Sequence, residues 1–79
     1  MTNYEENINR PFFESMGVRI QQYQPWQFAL SHPDVPGRFM WYPRGGALMH
    51  EHPLLGTGKV GDFTDSEQVY EEMVKKIPT

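Results

Sequence analysis

Hydrophobic and polar residues alternate along two stretches in the first half of the chain, with the period of a β-strand. Residues 18–23 form the first stretch and residues 26–31 the second, in which Trp26, Phe28 and Leu30 fall on one side. A turn rich in Pro or Gly follows each stretch. The pattern therefore predicts two strands of an antiparallel sheet.

A β-hairpin is predicted at the centre of the chain, around the second tryptophan. Residues 39–42 suit a pleated surface, and Pro43 ends the strand because it lacks an N–H. Gly45-Gly46 allows the positive φ that a tight turn needs, and residues 47–50 resume an extended run. The resulting register gives three facing pairs: Trp41 with Leu48, Met40 with Met49, and Phe39 with His50.

A short helix is predicted over residues 10–17. Pro11 suits the first helical position, where its missing N–H costs nothing, and Gly17 suits the left-handed residue that ends a helix.

A longer helix is predicted near the C-terminus. Thr64 and Glu67 have the spacing of a capping box, with Thr64 as the N-cap. Apolar residues then recur at helical spacing: Val69, Tyr70, Met73, Val74 and Ile77. Residues 51–62 contain three glycines and Pro53 and are interpreted as a loop, which is functional or mobile because it is long for a compact domain.

These elements predict one α+β domain. Residues 1–9 are polar and are interpreted as a flexible tail, and residues 10–79 as a single domain. Its fold is a short N-terminal helix, an antiparallel sheet of three to four strands, and a C-terminal helix packed on one face. The predicted sheet core is Val18, Ile20, Trp26, Phe28, Leu30, Phe39, Trp41 and Leu48.

The composition of the chain excludes some classes of protein. A chain of 79 residues has room for one core, and a net charge of −3 argues against non-specific binding of polyanions. Without cysteine there is neither a disulfide nor thiolate zinc, which suits a reducing compartment. No apolar run approaches the roughly 18 residues of a membrane span, and no signal peptide opens the chain. A cytoplasmic protein without membrane partners is therefore expected.

The hairpin also carries a resemblance. Trp41-Tyr42-Pro43-Arg44-Gly45-Gly46 resembles the Phe/Tyr-Trp/Tyr-Pro-x-x-Gly core of a group of small proteins encoded by bacteriophages and prophages. In that group a Thr usually precedes the turn glycine, whereas Gly45 does so here. The resemblance implies a phage origin, and hence the cytoplasm of a host cell. It implies no mechanism, because the group has no established activity.

The sheet face opposite the core is the predicted binding surface. Its candidate residues are Arg19, Tyr23, Arg38, Met40, Tyr42 and Met49. Tyr, Met and Arg are enriched at protein interfaces, which favours a protein partner. Two alternatives remain: single-stranded nucleic acid, with the tyrosines stacking on bases and the arginines meeting phosphates, and an ordinary solvent-exposed face.

No motif indicates catalysis or a cofactor. His50 and His52 would point the same way on a strand, but a metal site needs a third ligand, so a structural role is preferred. Gly56-Thr57-Gly58-Lys59 lacks the glycine spacing and the following helix of a phosphate-binding loop. A non-enzymatic binding protein with neither metal nor cofactor is the prediction.

Overall fold

The computed structural model describes residues 8–78. Its elements, in chain order, are α1 (Arg10–Ser15), β1 (Arg19–Gln24), β2 (Gln27–Ser31), β3 (Arg38–Trp41), β4 (Ala47–His52), β5 (Gly56–Asp62) and α2 (Ser66–Val74). The strands form one antiparallel sheet in which each strand neighbours the next along the chain. The predicted α+β class with a helix near each end is confirmed. The sheet has five strands rather than three to four.

The additional strand lies where the sequence predicted a loop over residues 51–62. Strand β4 continues to His52, a turn covers residues 53–55, and β5 then pairs back, with Gly56 opposite His52 and Gly58 opposite His50. Residues 56–59 are all exposed. Because these residues are not buried, their sequence shows no hydrophobic alternation that would predict a strand. Pairing with β4 holds the strand in place.

The central hairpin has the predicted register. Trp41 pairs with Leu48, Met40 with Met49, and Phe39 with His50. At the turn, Gly46 adopts a φ of 87°, and its N–H donates to the Tyr42 carbonyl oxygen at 2.7 Å.

Both helices pack on the sheet face that carries Trp41. The Trp41 indole is fully buried, and its N–H donates to the Phe63 carbonyl oxygen at 2.8 Å. Phe13 of α1 meets the indole edge-on with ring centroids 6.3 Å apart, while Val69 and Met73 of α2 are also fully buried. The buried core cluster contains Ile8, Phe13, Val18, Phe28, Leu30, Val35, Phe39, Trp41, Leu48, Val69 and Met73.

Trp26, a predicted core residue, is half exposed. Gln24 pairs with Gln27, so Pro25 and Trp26 form the turn between β1 and β2 instead of continuing the strand. A register shift between Gln22 and Gln24 precedes that turn. The alternation that places β2 residues in the core therefore begins after Trp26, and this part of the prediction is wrong.

Helix α1 begins with a cap that the sequence assigned to a flexible tail. The Asn9 side chain accepts the Phe12 N–H at 3.0 Å, and Gly17 follows the helix with a φ of 80°. Ile8 is only 8% exposed and belongs to the core cluster. Ile8 and Asn9 are thus part of the packed domain, and residues 1–7 of the predicted tail lie outside the described residues.

Helix α2 is capped by Asp65 rather than Thr64. The Glu67 N–H donates to Asp65 Oδ1 at 3.0 Å, and the helix begins at Ser66. Asp is at least as good an N-cap as Thr, so the helix starts one residue later than predicted. Ser66 is buried, and its hydroxyl oxygen accepts the Asn9 N–H at 3.0 Å, which joins the starts of the two helices.

Candidate functional site

The sheet face opposite the helices has no helix over it within residues 8–78. We call it the open face; its side chains include those of Arg19, Gln21, Tyr23, Gln27, Ala29, Arg38, Met40, Tyr42, Met49 and Glu51. Register sets one row across the sheet: Gln21 faces Ala29, Ala29 faces Met40, Met40 faces Met49, and Met49 faces Lys59. The predicted binding residues thus share a face.

A polar bridge crosses the open face. Arg38 Nη1 donates to the Tyr23 hydroxyl oxygen at 2.7 Å, and Arg38 Nε donates to Glu51 Oε1 at 2.8 Å. The Arg38 guanidinium carbon also lies 5.6 Å from the centroid of the Tyr23 ring. Because β2 separates β1 from β3, the contact between Tyr23 and Arg38 passes over β2. We call these three residues the Tyr23–Arg38–Glu51 bridge.

The bridge orients the exposed guanidinium of Arg38. The hydrogen bond that Arg38 donates to Glu51, together with the negative charge of Glu51, raises the pKa of Arg38 above its ordinary value. Arg38 is charged at any physiological pH in either case, so the contact changes its orientation and not its protonation. Exposed ion pairs contribute little to fold stability, so the bridge matters chiefly for what the surface presents.

Met40, predicted to be an exposed binding residue, is buried. Its exposed fraction is 4%, and that of its neighbour Ala29 is 6%. Met40 lies on the central strand between Ala29 and Met49, and the contact between Tyr23 and Arg38 passes over the small side chain of Ala29. The middle of this face is therefore apolar and covered, with Met40 and Ala29 buried in it.

The other predicted residues are accessible to different degrees. Arg19 and Arg38 are exposed, as is Tyr23 at 41%, whereas Tyr42 and Met49 are partly buried. The Tyr42 hydroxyl oxygen accepts a hydrogen bond from Gln27 Nε2 at 3.3 Å.

Each of the two neighbouring imidazoles has a structural contact. The His50 ring stacks on Phe39 with centroids 4.4 Å apart, and its Nε2 lies 2.9 Å from the Pro36 carbonyl oxygen. His52 Nδ1 accepts the N–H groups of Leu54 and Leu55 at 3.0 and 3.1 Å. Within the described part of the chain, no group of three or more His, Cys, Asp or Glu residues is arranged to hold a metal ion.

The sequence interpretation missed Glu51 as a member of the site. Extending the predicted pairing of Phe39 with His50 by one residue places Arg38 opposite Glu51, as the structure does. Opposite charges that face each other on neighbouring strands attract, so the register itself carried this signal. The reach of Tyr23 across β2 has no such signal, because it depends on the irregular pairing at the end of β1.

Comparison with protein-family models, curated proteins and solved structures finds no match. Neither α1 nor α2 is long and apolar enough to cross a membrane. The fold and the site define a small α+β domain: a five-stranded sheet with two helices on one face and a pre-arranged polar bridge on the other.

Proposed function

We propose that this protein is a non-enzymatic binding protein that recognises a protein partner through its open face. The observation that carries the proposal is the Tyr23–Arg38–Glu51 bridge, which holds a tyrosine and an arginine in one arrangement above the buried Met40. Tyr and Arg are frequent anchors of protein interfaces. Side chains that are already ordered lose less conformational freedom on binding, which favours affinity.

The contacts of the bridge favour protein over single-stranded nucleic acid, the alternative from another class. Glu51 offsets the charge of Arg38 at 2.8 Å, so a phosphate would compete with a carboxylate for the same guanidinium. The guanidinium also donates to the Tyr23 hydroxyl oxygen at 2.7 Å, which leaves fewer of its donors for a phosphate. Arg19, the other arginine of the predicted set, is exposed and lies outside the bridge.

The resemblance of the hairpin motif to phage and prophage proteins supports a narrower version of the proposal. In that version the protein is phage-encoded, works in the host cytoplasm, and has a host or phage protein as its partner. The motif at residues 41–46 is the support for this origin, and the binding proposal does not depend on it.

The test begins with capture from a bacterial lysate on the immobilised protein, in nuclease-treated and untreated samples. The captured partner is then purified and its affinity measured for the wild type, Tyr23→Ala, Tyr42→Ala and the control Gln22→Ala. Gln22 is exposed on the same strand as Tyr23 but pairs with Phe28, so its side chain belongs to the other face. We expect each tyrosine variant to weaken binding by about 1–3 kcal/mol and the control to leave it unchanged.

A salt titration separates the two classes of partner. For a protein partner, we expect capture to survive nuclease and the off-rate to change little with salt. For single strands, Arg19→Ala and Arg38→Ala would each reduce the slope of log K against log salt by about 0.7, since each removes one phosphate contact. Equal binding by the tyrosine variants and the wild type would contradict the open face as the interface.

A further inference from the structure

A second surface lies on the helix-bearing side of the sheet, beside β5. It is a groove of about 480 Å³, whose lining includes His50, His52, Leu55, Gly58 and Lys76. Lys59, which pairs with Met49 in the open-face row, also lines the rim of this groove at the sheet edge and forms an ion pair with Asp62 at 3.1 Å. None of these residues belongs to the Tyr23–Arg38–Glu51 bridge.

Glycines on the edge strand leave this groove open. Gly56 pairs with His52 and Gly58 with His50, so two successive positions of β5 on this side carry no side chain. A Cβ atom added to either glycine would meet no heavy atom within 4 Å. The floor beside the two imidazoles is therefore bare backbone with free space above it.

The groove is equipped to bind a carboxylate. His52 Nδ1 accepts two backbone N–H groups, so the ring proton of the neutral side chain is on Nε2, which is a donor. Lys76 adds an ammonium group, and no acidic residue is among those that line the groove in the described part of the chain. Leu55, which is 85% exposed, gives the same groove an apolar member.

Strand β5 also offers backbone groups to a partner. It is the last strand of the sheet, so no strand of residues 8–78 pairs with its outer edge. Residues 56–59 are exposed along that edge. Unpaired N–H and C=O groups on an edge strand are a template for adding an extended peptide.

We propose that the outer edge of β5 binds an extended peptide that carries an acidic and an apolar residue two positions apart. Alternate side chains of a strand point to the same side, so these two enter the groove together. The acid meets the donors of Lys76 and His52, and the apolar residue packs on Leu55. This site shares no residue with the Tyr23–Arg38–Glu51 bridge, and the proposal stands without the proposed function.

The probe is a capped peptide of sequence Thr-Leu-Thr-Glu-Thr-Val-Thr, titrated into the ¹⁵N-labelled protein. We expect amide shifts in residues 54–60 and at Lys76, with none at Tyr23 or Tyr42. The same peptide with Gln in place of Glu should bind more weakly. A peptide with N-methyl groups on one alternate set of amides should lose binding, while methylation of the other set is tolerated, because only every second N–H of an added strand faces β5.

Two variants and two controls test the groove itself. Gly58→Val places a side chain in the free space, where its Cβ atom meets nothing within 4 Å, and should abolish binding. Lys76→Gln should weaken it about two- to fivefold, the worth of one exposed ion pair. Lys75→Gln and Gly45→Ala should bind as the wild type does, because Lys75 pairs with Glu72 and neither position lines the groove.

Three results would each overturn the proposal. The first is the absence of shifts at about 5 mM peptide, which is weaker than any useful affinity. The second is a set of shifts confined to the open face. The third is unchanged binding by a folded Gly58→Val variant.

Discussion

Gly37 is the position where one added methyl group should do most damage. Its φ is 79°, and a Cβ atom there would collide with the Glu51 carbonyl oxygen and lie 3.0 Å from Pro53 Cδ. Two other glycines separate the cost of a positive φ from the cost of the steric clash. Gly17 has nearly the same φ, 80°, with nothing within 4 Å of its Cβ position, while Gly45 has open space and no positive φ.

The expected costs follow from these differences. A left-handed conformation costs an L-residue about 1–2 kcal/mol, which is the whole expected effect of Gly17→Ala. Overpacking against fixed backbone adds typically about 1–3 kcal/mol, so Gly37→Ala should cost about 2–5 kcal/mol. Gly45→Ala should change the free energy of unfolding by roughly 0.5 kcal/mol or less. A domain of 79 residues has about 4–12 kcal/mol of stability in total, so Gly37→Ala removes a large share.

Urea unfolding followed by circular dichroism measures the three variants on one scale. We expect the midpoint to fall in the order Gly45→Ala, Gly17→Ala, Gly37→Ala, with Gly17→Ala shifted by about 1 M. A Gly37→Ala variant that reaches no folded baseline also agrees with a clash at this position. Equal midpoints for Gly17→Ala and Gly37→Ala would refute the claim that the Glu51 backbone excludes a side chain at residue 37.

Burial and capping elsewhere in the fold also have measurable consequences. Met73→Ala should cost about 2–5 kcal/mol in urea unfolding, because the side chain is fully buried under α2; an unchanged midpoint would mean that the helix is not docked. Asp65→Ala should cost about 1 kcal/mol and Thr64→Ala close to nothing, and the reverse order would place the cap at Thr64. Iodide should quench Trp26, which is 50% exposed, and leave a blue-shifted emission from the buried Trp41; quenching of both would contradict the strand parity.

The central hairpin was predictable because two independent signals agree there. Pro43 and the glycine turn fix where the chain reverses, and the apolar residues fix which side faces the core. Together they give the pairing of Trp41 with Leu48 to the residue. The short helix was predictable for a similar reason, since Pro11 and Gly17 mark its two ends.

The misplaced features depend on contacts that a local pattern does not contain. Strand β5 exists because β4 pairs with it, and its residues show no hydrophobic alternation. Met40 has the parity of an exposed residue, yet it is buried on the central strand between Ala29 and Met49. Ile8 belongs to a polar stretch, and its burial comes from its contact with the core cluster, which the local pattern does not contain.

Strand β4 explains how this small domain presents two chemically different surfaces. Its residues alternate, so Met49 and Glu51 contribute to the open face, while His50 and His52 line the groove on the other side. The turn before β3 supports both sides: the Pro36 carbonyl oxygen contacts His50, and the adjacent Gly37 gives the Glu51 backbone room to approach. Because the two sets of side chains project from opposite faces of one strand, a change at Glu51 acts on the Tyr23–Arg38–Glu51 bridge, and a change at His52 acts on the groove. The two proposed surfaces are therefore separable by single substitutions at two adjacent residues of β4, Glu51 and His52, whereas a change at Gly37 disturbs both.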